Sequence, residues 1–140
     1  MTSADSALGI VQSFFSAKER HDLDAVAGLL ADDVVYRFPL PASGEQEYWF
    51  VYEGKDQTLK YQRGVLERFE QIRMTDVEYT VGTEGGRVFV TSRGDYRQGD
   101  GTAYKNVYVF RFVLRGGLIV SVDEYANPVT FAKLAGLPIG

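Results

Sequence analysis

The N-terminal half of the chain carries apolar residues at helical spacing in three places. The first helix is expected to begin at polar capping residues and to bury one apolar side. Its caps are Thr2, Ser3 and Asp5, and its apolar side carries Leu8, Val11, Phe14, Phe15 and Lys18. A shorter helix is predicted near residues 23–30, and a third follows Gly54-Lys55-Asp56.

The C-terminal half shows the alternation of apolar and polar residues that is typical of strands, and two shorter extended segments precede it at residues 34–38 and 48–52. Helices followed by a meander of strands predict an α+β fold, in which a curved antiparallel sheet wraps around N-terminal helices as a cone with an interior pocket. We expect residues 1–140 to form a single domain. Glycine-containing turns separate four predicted strands, at residues 76–81, 88–96, 104–114 and 118–125.

The last strand carries a carboxylate, Glu124, on its apolar side. Leu118, Val120 and Val122 have the same parity as Glu124, so a regular strand would turn this side chain toward the core. Burial disfavours the ionised carboxylate and raises its pKa toward the range that is useful for proton transfer. The pattern leaves an alternative open, in which the strand frays at Asp123 and Glu124 faces water.

Composition narrows the class of partner. With 15 basic and 19 acidic residues, the chain has a net charge of −4 and a pI near 5.0, which opposes nucleic acid or an anionic membrane as the main partner. A small molecule is expected instead. The absence of cysteine and the single histidine argue against disulfides and a metal site. With no signal-like N-terminus and no segment of membrane-spanning length, we expect a cytoplasmic protein.

Several motifs occur in an order that points to a known superfamily. The segments Asp-Leu-Asp-Ala and Leu-Leu-Ala-Asp-Asp precede a strand with proline, then Gly54-Lys55-Asp56, and finally Glu124-Tyr125-Ala126-Asn127-Pro128. In this order the chain resembles the nuclear-transport-factor-2-like, or cystatin-like cone, superfamily over its whole length. Its ending, including Tyr104-Lys105-Asn106-Val107-Tyr108, is similar to SnoaL-type polyketide cyclases and to the PhzA/PhzB phenazine-biosynthesis proteins.

The SnoaL-type resemblance implies that Glu124 is a general acid/base residue and that Asn106 takes the place of a cyclase glutamine. Phe38 replaces the asparagine that the cyclases carry in the first strand, so part of the polar support is lost. On this interpretation Asn106 and Tyr108 orient a flat, apolar, carbonyl-bearing substrate, and Tyr36 donates a hydrogen bond. No cofactor is required.

The mechanism of ketosteroid isomerase, another member of the superfamily, does not transfer to this chain. That enzyme needs a tyrosine in the first helix and aspartates in the first and penultimate strands, where this chain has Phe14, Phe38 and Tyr108. Phenylalanine can neither accept a proton nor stabilise an oxyanion. Phe14 and Phe38 are therefore expected to contact the substrate only as apolar groups.

A resemblance to limonene-epoxide hydrolases leaves a second enzymatic interpretation open. It is carried by Tyr36, Pro39-Leu40-Pro41 and Arg93-Gly94-Asp95. Because residues two apart on a strand point the same way, Arg93 and Asp95 are expected to approach Glu124 and to complete a catalytic set. One carboxylate would then activate water while the other protonates the epoxide oxygen.

Two more features bear on partners. Trp49 lies in an aromatic segment that is expected to form the rim or lid of the pocket. Val107 and Val109 lie on the opposite face of the strand from Asn106, and the resemblance implies a homodimer through that outer sheet face.

A third functional interpretation also stays open. The chain would then be a non-catalytic protein that binds a hydrophobic ligand or acts as a dimeric scaffold, with Glu124 held by Arg93.

Overall fold

A computed structural model describes residues 4–140, which form four helices and seven strands. The helices are α1 (Ala4–Glu19), α2 (Leu23–Leu29), α3 (Gly54–Arg68) and α4 (Pro128–Ala135). Asp22 caps α2 by accepting a hydrogen bond from the backbone N–H of Ala25 at 3.0 Å. Asp5 lies in the first turn of α1, whereas the predicted caps Thr2 and Ser3 lie outside the described residues.

The strands form one curved, unclosed sheet. Its order is β2-β1-β7-β6-β5-β3, with β4 also paired to β5, and every pairing is antiparallel except that of β1 with β7. The α+β cone is therefore confirmed, but the sheet is mixed rather than purely antiparallel. The strands are β1 (Leu30–Phe38), β2 (Phe50–Glu53), β3 (Phe69–Gln71), β4 (Met74–Val81), β5 (Arg87–Gln98), β6 (Ala103–Arg115) and β7 (Leu118–Ala126).

The core lies between the inner face of this sheet and α1. Alternate residues of β5 and β6 are buried, as the period of a strand requires. Phe14 of α1 meets Phe112 edge-to-face at 5.5 Å, and Phe15 meets Phe110 at 5.0 Å between ring centroids. The apolar side predicted for the first helix is thus the side that covers the sheet. Among residues 4–140, no helix is both long and apolar enough to cross a membrane.

A β-bulge in β7 changes which residues face the core. Leu114 pairs with Ile119 and Val113 with Ser121, so Val120 is an extra residue without a partner on β6. As a result Ile119 is buried and Leu118 is exposed, and the expectation that Leu118 faces inward is wrong. After the bulge, Val122 and Glu124 share the inner face, as the alternation of the sequence predicts.

Gly94 of β5 allows two cavity-facing rings to lie directly over the sheet. A Cβ atom built at this position would lie 2.6 Å from Cε2 of Tyr108 and 3.1 Å from Cε1 of Tyr96. The first distance is far below van der Waals contact, so the Tyr108 ring would have to move. Glycine is therefore needed here for close approach rather than for an unusual backbone angle.

We predict that Gly94→Ala destabilises the fold by about 1–3 kcal/mol, because overpacking displaces buried rings from their rotamers. Denaturant unfolding followed by circular dichroism measures this change. Gly99→Ala is the matched control, since a Cβ atom at Gly99 meets nothing within 4 Å. Equal stability of the two variants would contradict the proposed close contact.

Candidate active site

A cavity of about 340 Å³ lies between the inner face of the sheet and helices α1, α3 and α4. Its wall is mainly aromatic and includes one carboxylate and three cationic side chains among the described residues. Such a combination of apolar walls with a few polar groups is typical of small-molecule sites. The wall is formed by Lys18, Phe38, Leu40, Trp49, Phe50, Tyr52, Lys60, Tyr61, Gly64, Val65, Arg68, Phe69, Tyr96, Tyr104, Tyr108, Glu124, Ala126, Asn127, Pro128 and Phe131.

Glu124 of β7 supplies the carboxylate and is only 8% exposed. The buried hydroxyl of Tyr36 donates a hydrogen bond to Oε1 of Glu124 at 2.5 Å. The parallel register places Tyr36 opposite Val122, so Glu124 is the next residue of β7 on the same face. The inward orientation of Glu124 is confirmed, and the alternative of a frayed strand end is wrong because β7 continues to Ala126.

Lys18, in the last turn of α1, faces the same cavity and is 3% exposed. Its Nζ lies 5.6 Å from the centre of the Phe14 ring. It forms no ion pair with Glu124, although the two charges are close enough to influence each other. The cavity therefore holds a buried amine and a buried carboxylate that do not neutralise each other by direct contact.

Burial dominates the electrostatics of both groups. Desolvation raises the pKa of Glu124, while Lys18 and the Tyr36 hydrogen bond act in the opposite direction and only reduce the shift. Desolvation likewise lowers the pKa of Lys18, and Glu124 partly offsets this effect. Both shifts favour the uncharged forms, a carboxylic acid and an amine.

Two buried tyrosines and the half-buried Tyr61 add neutral hydrogen-bonding groups to the wall. Burial raises the pKa of Tyr61, Tyr96 and Tyr108 above the usual value of 10.0, so these hydroxyls keep their protons at neutral pH. Tyr61 also stacks on Tyr52 at 4.7 Å between ring centroids. A ligand in the cavity would therefore meet flat ring faces and hydroxyl donors.

The predicted substrate-binding residues divide between the cavity wall and the layer behind it. Phe38, Trp49 and Tyr108 line the cavity with Glu124. Trp49 stacks on Phe50 at 5.0 Å and meets Phe131 edge-to-face at 5.8 Å. Phe14 and Tyr36 are fully buried and do not line the cavity; Tyr36 acts behind Glu124, and Phe14 lies in the core.

Asn106, which the sequence led us to expect as a ligand-orienting residue, lies outside the cavity wall and is hydrogen-bonded within the protein. Its side-chain oxygen accepts a hydrogen bond from the backbone N–H of Asn127 at 3.1 Å, and its amide donates to the Asn127 carbonyl at 3.1 Å. The amide also donates to the Tyr104 hydroxyl at 2.7 Å. Asn106 is buried and polar because it holds the segment that leads into α4, and it does not line the cavity.

Arg93 and Asp95 do not approach Glu124. The expectation that these three side chains lie together is therefore wrong. Both side chains lie on the outer face of β5, whereas Glu124 lies on the inner face of the sheet. Arg93 is 68% exposed and lies 3.8 Å from Asp76, and Asp95 lies 3.7 Å from Arg73. The rule that residues two apart share a face was sound, but the shared face is the outer one.

Lys18 is the main residue of the cavity that the sequence analysis did not assign to a site. The sequence does contain a sign of this position, because Lys18 lies at helical spacing from the apolar residues Val11, Phe14 and Phe15 of α1. A lysine at such a position either extends its amine to solvent or is buried. Only the packing of α1 against the sheet and α3 distinguishes these outcomes.

The chain matches a known family model over most of its length. Residues 11–122 match the model of the SnoaL-like domain. The chain belongs to the SnoaL-like family. Its fold is also that of nuclear-transport-factor-2-like proteins, which confirms the superfamily resemblance seen in the sequence. Among curated proteins, none matches this SnoaL-like chain by sequence.

Solved structures agree on the fold of this SnoaL-like protein. A candidate isomerase from Bacillus subtilis has a TM-score of 0.82 and 19% identity, with 99% of each chain covered. A candidate polyketide cyclase from Xanthomonas campestris has a TM-score of 0.72 and 24% identity, covering 91% of this chain and 94% of its own. A phenazine biosynthesis-related protein from Pseudomonas aeruginosa has a TM-score of 0.77 and 16% identity. The match covers 98% of this chain and 89% of the Pseudomonas chain. Identities this low show a shared fold and not a shared reaction.

We predict that the Glu124 carboxyl group of this SnoaL-like protein titrates above 4.5 and that Tyr36→Phe raises its midpoint further. The hydroxyl of Tyr36 stabilises the carboxylate form, so its loss favours the protonated form. NMR titration of the labelled glutamate carboxyl carbon measures both midpoints. Tyr125→Phe, on the same strand, is the control and should leave the midpoint unchanged.

The same titration has a consequence for stability. Because the fold raises the pKa of Glu124, the protonated side chain stabilises the folded state at pH values below the unfolded-state pKa. This stabilisation is lost as the pH rises through the folded-state pKa.

The NMR titration can also contradict the structure. An ordinary titration midpoint for Glu124, unaffected by Tyr36→Phe, would contradict the burial of this carboxyl group.

Proposed function

We propose that this SnoaL-like protein is a cofactor-independent acid/base enzyme of the cyclase or isomerase type. Its substrate is a flat, apolar small molecule that bears a carbonyl group, and Glu124 moves the proton. The observation that carries the proposal is the position of Glu124: among residues 4–140 it is the one carboxylate in the wall of the aromatic cavity, and it is buried.

The surroundings of Glu124 suit a general base. A desolvated carboxylate is a stronger base than one in water, and it can remove a proton from the carbon next to a carbonyl group. The hydrogen bond from Tyr36 holds the carboxylate in one orientation. The protonated acid that results is the form favoured by burial, so Glu124 can return the proton to another atom of the substrate.

The aromatic wall suits the proposed substrate class. Flat rings of Phe38, Tyr52 and Tyr61 can stack on a planar apolar molecule. The neutral hydroxyl of Tyr108 can donate a hydrogen bond to the carbonyl oxygen on which negative charge develops. We therefore assign the orienting role in this proposal to Tyr108, which lines the cavity, and not to Asn106, which does not.

The alternatives from the sequence analysis are less well supported. A hydrolase that combines Arg93 and Asp95 with Glu124 would need these side chains in one cavity, and they lie on opposite faces of the sheet. A non-catalytic protein in which Arg93 holds Glu124 meets the same difficulty. One alternative remains, a protein that binds a ligand but catalyses no reaction. The first functional experiment must distinguish it from an enzyme.

We predict that the protein accelerates hydrogen exchange at the carbon next to the carbonyl group of a bound flat ketone, and that Glu124→Gln lowers this rate by about 100-fold or more. The glutamine keeps an oxygen that can accept from Tyr36, so folding and ligand affinity should change little. Proton NMR in heavy water follows the exchange, with β-tetralone as the probe ketone.

Binding and folding are measured beside the exchange rate. Trp49 is the one tryptophan of the chain and lies in the cavity wall, so its fluorescence reports ligand occupancy. Asp95→Asn is the matched control, because it replaces a carboxylate by an amide on the outer face. Saturable binding without accelerated exchange across a panel of flat ketones would instead support a ligand-binding protein.

We also propose that the protein forms a homodimer through the outer face of the sheet. Three apolar side chains there are exposed in the isolated chain: Phe89 by 39%, Val107 by 48% and Val109 by 41%. Val109 pairs with Thr91, the same-face neighbour of Phe89, so these residues form a continuous patch. Patches of this kind on a sheet surface are typical of interfaces between subunits.

We predict that Val107→Glu and Val109→Glu each shift the protein from dimer to monomer, because a buried, unpaired carboxylate would face the partner. Light scattering coupled to size-exclusion chromatography measures the mass of the particle. Leu118→Glu is the control, since Leu118 is exposed at the start of β7 and lies away from the patch. A monomeric wild-type protein at all concentrations would contradict this interface.

A further inference from the structure

The amine of Lys18 is a functional group deep in the cavity that the proton transfer described above does not use. Lys18 enters the wall from α1 and is almost completely buried. Among the described residues no carboxylate forms an ion pair with it, and its Nζ lies over the face of the Phe14 ring at 5.6 Å from the ring centre. An amine without a paired anion, facing an apolar cavity, is in the setting that activates lysine as a nucleophile.

The other two cations of the cavity wall differ from Lys18 in their surroundings. Lys60 and Arg68 lie on α3 and are exposed, so water reaches their charged groups. Arg68 also donates to the backbone carbonyl of Leu134 at 3.5 Å. The solvent-exposed amine of Lys60 therefore lacks the desolvated setting that activates a lysine as a nucleophile. Only Lys18 combines burial with direct access to the cavity.

We propose that the Lys18 amine forms a Schiff base with the carbonyl carbon of the ligand, so that the cavity holds its substrate covalently while Glu124 transfers protons. This inference rests on the proposed function for the class of ligand, a carbonyl compound, and for the proton transfer by Glu124. An iminium group withdraws electrons more strongly than a carbonyl group, so it makes the adjacent C–H bond more acidic.

The two buried groups supply what the reaction needs. The Nζ lone pair attacks the carbonyl carbon; a C–N bond forms while the carbonyl π bond opens onto oxygen. The oxygen takes one proton from the Glu124 carboxylic acid and one from nitrogen and leaves as water. An amine, a carboxylic acid and a ketone thus become an iminium ion, a carboxylate and one water molecule, and no oxidant or reductant is consumed.

The products of this step are placed to continue the reaction. The carboxylate of Glu124 faces the cavity that holds the iminium ion, and the two opposite charges stabilise each other in a site of low polarity. The same carboxylate can then remove the acidified proton beside the iminium carbon. Desolvation favours the uncharged amine and acid before the ligand binds, which is the state in which the step begins.

Reductive trapping tests the Schiff base directly. The protein is saturated with β-tetralone, with saturation followed by Trp49 fluorescence, and is then treated with sodium cyanoborohydride. Intact mass spectrometry should show one reduced adduct per chain, and peptide mapping should place it on Lys18. An adduct spread over the exposed lysines, or no adduct on a saturated protein, would overturn the proposal.

Matched variants separate covalent capture from a purely electrostatic role. Lys18→Arg keeps a cation but cannot form the Schiff base, so it should abolish the adduct and lower the exchange rate of the bound ketone. Lys133→Arg makes the same change on the exposed surface of α4, outside the cavity wall, and should leave both unchanged. An exchange rate of Lys18→Arg equal to that of the wild type would count against the proposal.

The mapping of the wild-type adduct decides the question even where Lys18→Arg folds poorly, which thermal unfolding reveals. The two proposals also fail in different ways. Exchange without an adduct on Lys18 would overturn the Schiff base and leave the acid/base function standing. An adduct on Lys18 without accelerated exchange would support the Schiff base and overturn the proton transfer by Glu124.

Discussion

The hydrogen bond from Tyr36 to Glu124 depends on the pairing of two strands that are far apart in the chain. Its partners are separated by 88 residues and meet because β1 and β7 run parallel, with Tyr36 opposite Val122. A parallel pair needs a long crossover, which the intervening helix and strands supply. The position of the carboxylate, its single recorded hydrogen-bond donor and its burial all follow from this register.

Neighbouring acids on β7 show how strongly the sheet separates its two faces. Asp123 points outward, where Arg37 and Arg111 hold it at 2.7 and 3.5 Å, so its charge is compensated by direct ion pairs. Glu124 points inward, where Lys18 is the charged group that influences it and, among residues 4–140, no ion pair forms. Adjacent residues of one strand therefore have opposite surroundings: Asp123 lies in a cluster of ion pairs on the outer face, and Glu124 lies in the wall of the cavity.

Helix α1 completes the cavity from the opposite side. Its aromatic residues Phe14 and Phe15 pack edge-to-face on β6, and this contact fixes the rotation of the helix about its axis. That rotation places Lys18 in the wall rather than at the surface. A helix whose main task is to cover the sheet thus also delivers an amine to the site.

Much of the fold and part of the site follow from local patterns. Helical spacing located α1, α2 and α3, and alternation located β4 to β7 and the inward orientation of Glu124 past the bulge. These features are readable because a helix and a strand each impose a period on the sequence. A period says which residues share a face, but it does not say which face of the sheet the core will cover. Arg93 and Asp95 illustrate this limit, since their shared face proved to be the outer one.

The sequence by itself determined the class of fold, the family resemblance and the inward-facing carboxylate of Glu124, because these rest on residue types and on contacts between chain neighbours. Only the tertiary structure decided that Tyr36 is the partner of Glu124, that Asn106 holds the start of α4, and that Lys18 enters the cavity. Each of these facts depends on strand register or helix rotation, which arise from packing between distant segments and leave no periodic trace in the sequence.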